Sequence, residues 1–278
     1  MRIGLAQTRQ TADRDENVAA ILEALQQGAD DGAKILCFPE TQTVGYRVDI
    51  AAPETPVDAD WLEATHAEVA ASCARLGVAC ILGTELPSPA DKPTNTALVI
   101  DETGSILGAH HKTMLTPLDA VAYSPGTQQH TFELAGITVG IVICFEGFRF
   151  AHTTAECVRQ GAQLVFHPQN NTTRPNDWKI PVHHAMLVTR ATENTVWFAS
   201  CNASLEHQNC RSMIVRPDGQ IQAQTELRRE QILVNDIDID LATRAMFRLG
   251  EGEQGDAVDD SGAMLFADTV DRSEWRAP

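Results

Sequence analysis

The chain has no basic tract, no Cys-x-x-Cys pair, and no apolar stretch approaching the roughly 20 residues that a membrane-spanning helix needs. Its 21 Lys and Arg stand against 38 Asp and Glu, a net charge of −17 over 278 residues. That shortage of positive charge excludes nucleic acid and anionic membrane surfaces as expected partners. The seven cysteines are odd in number and scattered, so neither a disulfide framework nor a zinc site is expected. P-loop spacing is absent, and the one Gly-x-Gly-x-x-Gly, Gly250–Gly255, falls in an acid-rich stretch with no apolar strand run before it, so the usual nucleotide-binding motifs find no support. The paired histidines do not suit a metal ion. His110-His111 would face opposite sides of a strand, and His183-His184 would diverge by about 100° on a helix. No metal and no cofactor are expected. Residues Arg2–Gln7 read as a strand with no charged and apolar leader before them, so the expected location is cytoplasmic.

What is present is an ordinary globular composition, 43% hydrophobic and 21% charged, long enough to bury a sizeable core. Short apolar runs alternate with amphipathic stretches. Arg2–Gln7 and Ile35–Phe38 read as strands, with a helix between them carried by Val18, Ile21, Leu22 and Leu25 and ended near Gly28 and Gly32. A second helix is expected over 60–75, stopped by Gly77. Hairpins follow, around Asp101-Glu102-Thr103-Gly104 and Ala135-Gly136, and a last one is expected to pair Met213–Val215 with Gln231–Asp236. Helices are expected over Ala151–Gln160 and Asp177–Glu193. Strands alternate with helices, but hairpins sit where a doubly wound fold would have another helix. Helix-covered sheets packed face to face in one α/β domain are therefore expected. Residues 1–245 form that domain, and 246–278 form a C-terminal extension with a Gly- and acid-rich loop over Gly250–Gly262.

Three residues at strand ends could carry chemistry. Cys144 closes the most apolar strand and is followed at once by Phe145-Glu146-Gly147, where a sheet can present a thiol and backbone N–H donors together. Glu40 follows the apolar run Cys37-Phe38, a position that desolvates a carboxylate toward use as a general base. Lys112 follows His110-His111, where an ammonium could stabilise an oxyanion. Each fits a structural role alone: a core cysteine, a turn acid, a lysine whose stem lies along the surface. Further strand exits supply candidates for substrate contact in Tyr46, Phe145, Glu146 and Arg149, and in His167, Gln169 and Asn170.

Taken together, Glu40, Lys112 and Cys144 in that chain order resemble the catalytic trio of the nitrilase superfamily, the carbon–nitrogen hydrolases. The resemblance is carried by Phe38-Pro39-Glu40-Thr41, His111-Lys112, Ser124-Pro125-Gly126, Ile143-Cys144-Phe145-Glu146 and the later blocks Arg190–Asn194 and Ser212–Gly219, and it spans about residues 2–240. It implies a four-layer α-β-β-α sandwich and a homodimer or larger homo-oligomer, with the C-terminal segment at the interface. It also implies hydrolysis of a small linear amide or carbamoyl compound through a Cys144 thioester. A nitrilase using the same trio, or a non-catalytic ligand-binding member of the fold, are the alternatives. The sequence departs from the family at the second glutamate that often follows the lysine. The interval Thr113–Ser124 holds Asp119 as its only acid, one methylene or about 1.5 Å shorter, and Asp119 joins the candidate catalytic set.

Overall fold

A computed structural model describes residues 1–48, 56–90, 92–172 and 178–250, the side chains of the last two excepted. The first half runs β1 (Arg2–Gln7), α1 (Arg14–Asp30), β2 (Ile35–Cys37), α2 (Ala59–Leu76), β3 (Ala79–Leu86), β4 (Thr94–Ile100), β5 (Ile106–His111) and α3 (Asp119–Ala122). The second runs β6 (Thr131–Leu134), β7 (Ile137–Ile141), α4 (Phe145–Arg149), α5 (Ala151–Arg159), β8 (Leu164–Gln169), α6 (Lys179–Asn194), β9 (Trp197–Asn202), β10 (Met213–Val215), β11 (Ile221–Gln224), β12 (Gln231–Asp236) and α7 (Ala245–Gly250).

The helix boundaries follow local chemistry. Asp13 caps α1 by accepting from the N–H groups of Asp15 and Glu16, and Asp58 caps α2 by accepting from Trp61. Gly77 ends α2 in the left-handed conformation at φ 65°, where a side chain would be strained. Helix α1 turns Ala20, Ile21, Ala24 and Leu25 inward, a stripe at helical spacing, while its charged residues face out.

The strands form two six-stranded sheets of order β12-β1-β2-β3-β4-β5 and β11-β10-β9-β8-β7-β6. Each has three parallel strands at its centre, β1-β2-β3 and β7-β8-β9, flanked by antiparallel ones. The parallel strands are buried on both faces and read as continuous apolar runs. One apolar layer lies between the sheets, built from residues such as Ile3, Ile81, Ile141, Phe166 and Trp197. A second lies under α1 and α2, and a third under α5 and α6. The result is the α-β-β-α sandwich.

The last hairpin is not as expected. Strand β10 pairs with β11, and β12 crosses to the other sheet, where it runs antiparallel to β1 from Arg2 opposite Asp236 to Gln7 opposite Gln231. Ile232 of β12 packs on the helix side and Leu233 on the inter-sheet side, so the strand fills both layers of the first sheet. The stretch 221–224 alternates half-buried and exposed residues, the pattern of an edge strand. The Asp177 start of the sixth helix and the loop expected over most of Gly250–Gly262 lie outside the described residues.

The loop carrying Glu40 lies hard against β3. A methyl group at Gly83 would sit 1.7 Å from the Pro39 carbonyl oxygen, so only glycine fits. Gly83→Ala is expected to cost at least about 2 kcal/mol of unfolding free energy, as overpacking against backbone does. Urea unfolding measures it, and an unchanged midpoint contradicts this close approach.

Candidate active site

Glu40, Lys112 and Cys144 leave the ends of β2, β5 and β7 and meet where the two sheets face each other. Glu40 is buried and its carboxylate accepts three hydrogen bonds. Oε1 accepts from Lys112 Nζ at 2.6 Å and from Asn95 Nδ2 at 2.7 Å, and Oε2 accepts from the Asn170 backbone N–H at 2.8 Å. Thr41 follows at φ 52°, a strained turn that drives the carboxylate inward, and Gln10 Nε2 ties down the Glu40 carbonyl at 2.7 Å.

Lys112 is 1% exposed and reaches a second carboxylate, Asp119 Oδ2, at 2.9 Å. Burial alone would lower its pKa; the charges of Glu40 and Asp119 outweigh burial, so the ammonium is held protonated. Asp119 opens α3, receives the Thr116 N–H on Oδ2 at 2.8 Å and the Tyr46 hydroxyl on Oδ1. Burial opposes its charge, and Lys112 still holds it below the usual carboxylate range.

Cys144 stands between β7 and α4 at φ 47° and ψ −103°, a conformation that costs a non-glycine residue about 1–3 kcal/mol. Its N–H donates to the Pro168 carbonyl at 2.8 Å, and its carbonyl receives His167 Nε2 at 2.8 Å. Gly147 lies so close to the His167 ring that a Cβ there would be 2.8 Å from it. Arg190 of α6 completes the clamp by donating to the Gly147 and Phe148 carbonyls, and its pairing with Glu193 at 2.7 Å fixes the guanidinium. Burial and then the Glu40 charge push the Cys144 thiol well above its ordinary value, against the opposing pull of Lys112. The resting sulfur therefore keeps its proton and needs a base as it reacts.

A cavity of about 340 Å³ opens on this cluster, and its wall includes Tyr46, Lys112, Cys144, Phe145, Arg149 and Asn170. As first residue of α4, Phe145 has an N–H without an intrahelical acceptor. Residues the sequence did not single out for substrate contact also line it, among them Leu118, Phe148, Lys179 and His183. His183 stacks on Phe148 at 4.2 Å, and burial pushes its pKa down to about 4. Among the described lining residues the charged groups are thus Lys112, Arg149 and Lys179, with no carboxylate.

Three expected contact residues do not line the cavity. Glu146, His167 and Gln169 are each fully buried behind the wall. His167 bridges the Cys144 carbonyl and Ser200, and Gln169 donates to Ser200 at 2.6 Å. Glu146 joins the cysteine turn to the lysine loop: it accepts from the Ile143 N–H at 2.5 Å, the Thr113 N–H at 2.7 Å and the Thr113 hydroxyl at 2.6 Å, and lies 2.9 Å from His110 Nε2. Asp119, likewise, is buried behind Tyr46. The polar Asn95 within the apolar strand β4 was a legible but unused signal, since a buried amide needs a partner.

With this geometry in view, the comparisons with known proteins are consistent. The carbon-nitrogen hydrolase family model matches residues 2–246, and the chain belongs to that family. It is an enzyme of the amidase-like type within the nitrilase superfamily. It is 27% identical over 276 residues to the chloroplastic omega-amidase of Arabidopsis thaliana, covering 91% of this chain and 72% of that protein. It is 26% identical over 255 residues to omega-amidase NIT2 of Homo sapiens, covering 86% and 88%. Its fold is that of the crystal structure of an amidase from Nesterenkonia sp., with a TM-score of 0.76 at 24% identity over 91% of this chain and 95% of that one.

Burial would raise the Glu146 carboxyl, but His110 and the donors on Ile143 and Thr113 outweigh burial and hold it at about 2, against an ordinary 4.5. A depressed folded pKa stabilises the fold above 4.5, and that contribution is lost as pH falls toward 2. Glu146→Gln is expected to lower stability at neutral pH and to flatten the fall in stability across that acid range. Unfolding curves at a series of pH values measure both, and an unchanged slope contradicts the assignment.

Proposed function

We propose that the chain hydrolyses a small linear amide bearing a carboxylate at the end remote from the scissile bond, through a thioester on Cys144. The observation that carries this reading is the cavity itself. Its depth holds the thiol, the Lys112 ammonium and the Phe145 N–H, and its wall adds Arg149 and Lys179, with no acid among the described lining residues. In a chain of net charge −17, Arg149 and Lys179 on the described wall favour an anionic ligand. Arg149 is exposed on the cavity wall, so its charge is available to a substrate carboxylate. The omega-amidase names of the two relatives agree with an amide at one end of the substrate, as does a related amidase structure described with an acetamide moiety covalently added at its active site cysteine.

In the proposed cycle Glu40 takes the thiol proton as Cys144 Sγ attacks the amide carbon. The carbonyl oxygen gains charge, and Lys112 and the Phe145 N–H stabilise it. The C–N bond breaks as Glu40 returns the proton to nitrogen, and ammonia leaves. A water then gives its proton to Glu40 and attacks the thioester, and the thiol recovers its proton as the acid departs. Asn95 and the Asn170 N–H hold Glu40 in place throughout. The homodimer and the cytoplasmic location expected from the sequence belong to the same proposal and rest on the family resemblance.

Cys144→Ala is expected to abolish ammonia release and the acyl adduct seen by intact mass spectrometry, while thermal unfolding shows a retained fold. Normal turnover by that variant would sink the mechanism. Arg149→Glu is expected to raise KM about tenfold for an amide carrying a remote carboxylate, the loss of one charged hydrogen bond. An equal rise for a neutral amide of the same length would remove the anion from the proposal.

A further inference from the structure

Asp119 has no free oxygen to offer a substrate. Oδ2 lies 2.9 Å from Lys112 Nζ and accepts the Thr116 N–H at 2.8 Å, and Oδ1 takes the Tyr46 hydroxyl. The residue is fully buried and does not line the cavity, whereas Tyr46 does. A phenol has one proton and acceptor lone pairs. With its proton given to Asp119, Tyr46 can present only a lone pair to the cavity. Burial, with the charges of Glu40 and Asp119, pushes the phenol up, so the proton stays in place.

The two other polar groups at the reacting centre have the opposite sign. Lys112 has three N–H bonds, of which Glu40 and Asp119 take two, and the third remains for the cavity with the Phe145 N–H. The cavity thus offers donors from Lys112 and Phe145 for a carbonyl oxygen, and beside Lys112, on the other oxygen of the same Asp119 carboxylate, an acceptor from Tyr46. A primary carboxamide has this pattern reversed, with an acceptor oxygen and a donor nitrogen. A nitrile has no N–H, and an ester places a second acceptor where the amide has a donor.

Building on the amide hydrolase reading, we infer that Tyr46 selects the substrate amide by accepting an N–H of its leaving nitrogen, and that Asp119 is the positioning residue that fixes the phenol as an acceptor. The shorter acid is thereby compensated: Asp119 stays on Lys112, and the aromatic ring carries the acceptor the remaining distance into the cavity. A site built to hydrogen-bond a substrate N–H discriminates against the analogue lacking it, because the partner is left unpaired.

The test uses the full chain with two probes of one acyl group, the monoamide and the monomethyl ester of succinic acid, and reads the amide-to-ester ratio of kcat/KM. Tyr46→Phe deletes the acceptor and is expected to lower the ratio about tenfold, the value of one hydrogen bond in a closed site. Asp119→Asn gives a sharper result. The Lys112 and Thr116 donors compel the amide oxygen of Asn to stay at their position, so its NH₂ points at Tyr46 and the phenol must accept. Its proton then turns into the cavity, where it opposes an N–H and favours an ester oxygen. The ratio is expected to fall further than in Tyr46→Phe. A ratio unchanged in both variants, with both rates reduced together, would overturn the inference and leave the hydrolase standing. A wild-type protein that turns over neither probe and acquires no adduct on Cys144 would overturn the hydrolase reading itself.

Discussion

Everything in the site depends on a single buried ammonium. Lys112 is enclosed by protein and is sustained there by two carboxylates, one on each side. Two charges taken from water cost several kcal/mol each unless their remaining hydrogen bonds are met. Here they are met: Asn95 and the Asn170 N–H serve Glu40, and Thr116 and Tyr46 serve Asp119. The segment of Glu40 and Tyr46, strand β4 at Asn95, the segment of Thr116 and Asp119, and the Asn170 backbone are therefore joined around one cation, so the arrangement that favours charge on Lys112 also fixes Glu40 and the cavity wall.

The nucleophile is held by a different kind of constraint. Cys144 sits in a backbone conformation that its side chain disfavours, and it persists because Pro168, His167, Glu146 and Arg190 bond the turn from several sides. Strain of this kind survives only where surrounding structure over-determines it. Glu146 spans the gap between the two constraints, since it binds the residue before Cys144 and the residue after Lys112. Its contribution is mechanical, and its burial keeps it from the substrate.

Much of this was legible in the sequence. The alternation of apolar runs and amphipathic helices located most elements of both sheets, and the strand ends pointed to Glu40, Lys112 and Cys144. The pairing of β12 was not legible, because local turn chemistry near Pro217-Asp218-Gly219 fits either partner and the choice is made by a distant edge at β1. Nor could the sequence separate Phe145 and Arg149, which face the cavity, from Glu146, which turns away between them. All three leave the same strand, and the turn of α4 decides which side chain looks where. Asp119 was visible as an acid one methylene short, but its partner Tyr46 lies far away in the chain and only the fold joins them.

Glu40 and Lys112 hang from one sheet, and Cys144 from the other. Nothing covalent nearby sets the gap across which a proton and a bond must pass; the apolar layer between the sheets sets it, from Ile3 and Ile81 on one side to Ile141 and Phe166 on the other. That layer is packed to the density of a crystal and yields little. The hydrophobic core is accordingly a spacer for the chemistry as well as the source of stability. A methyl group removed deep within it would be felt at the sulfur as a change in reach before it was felt as unfolding.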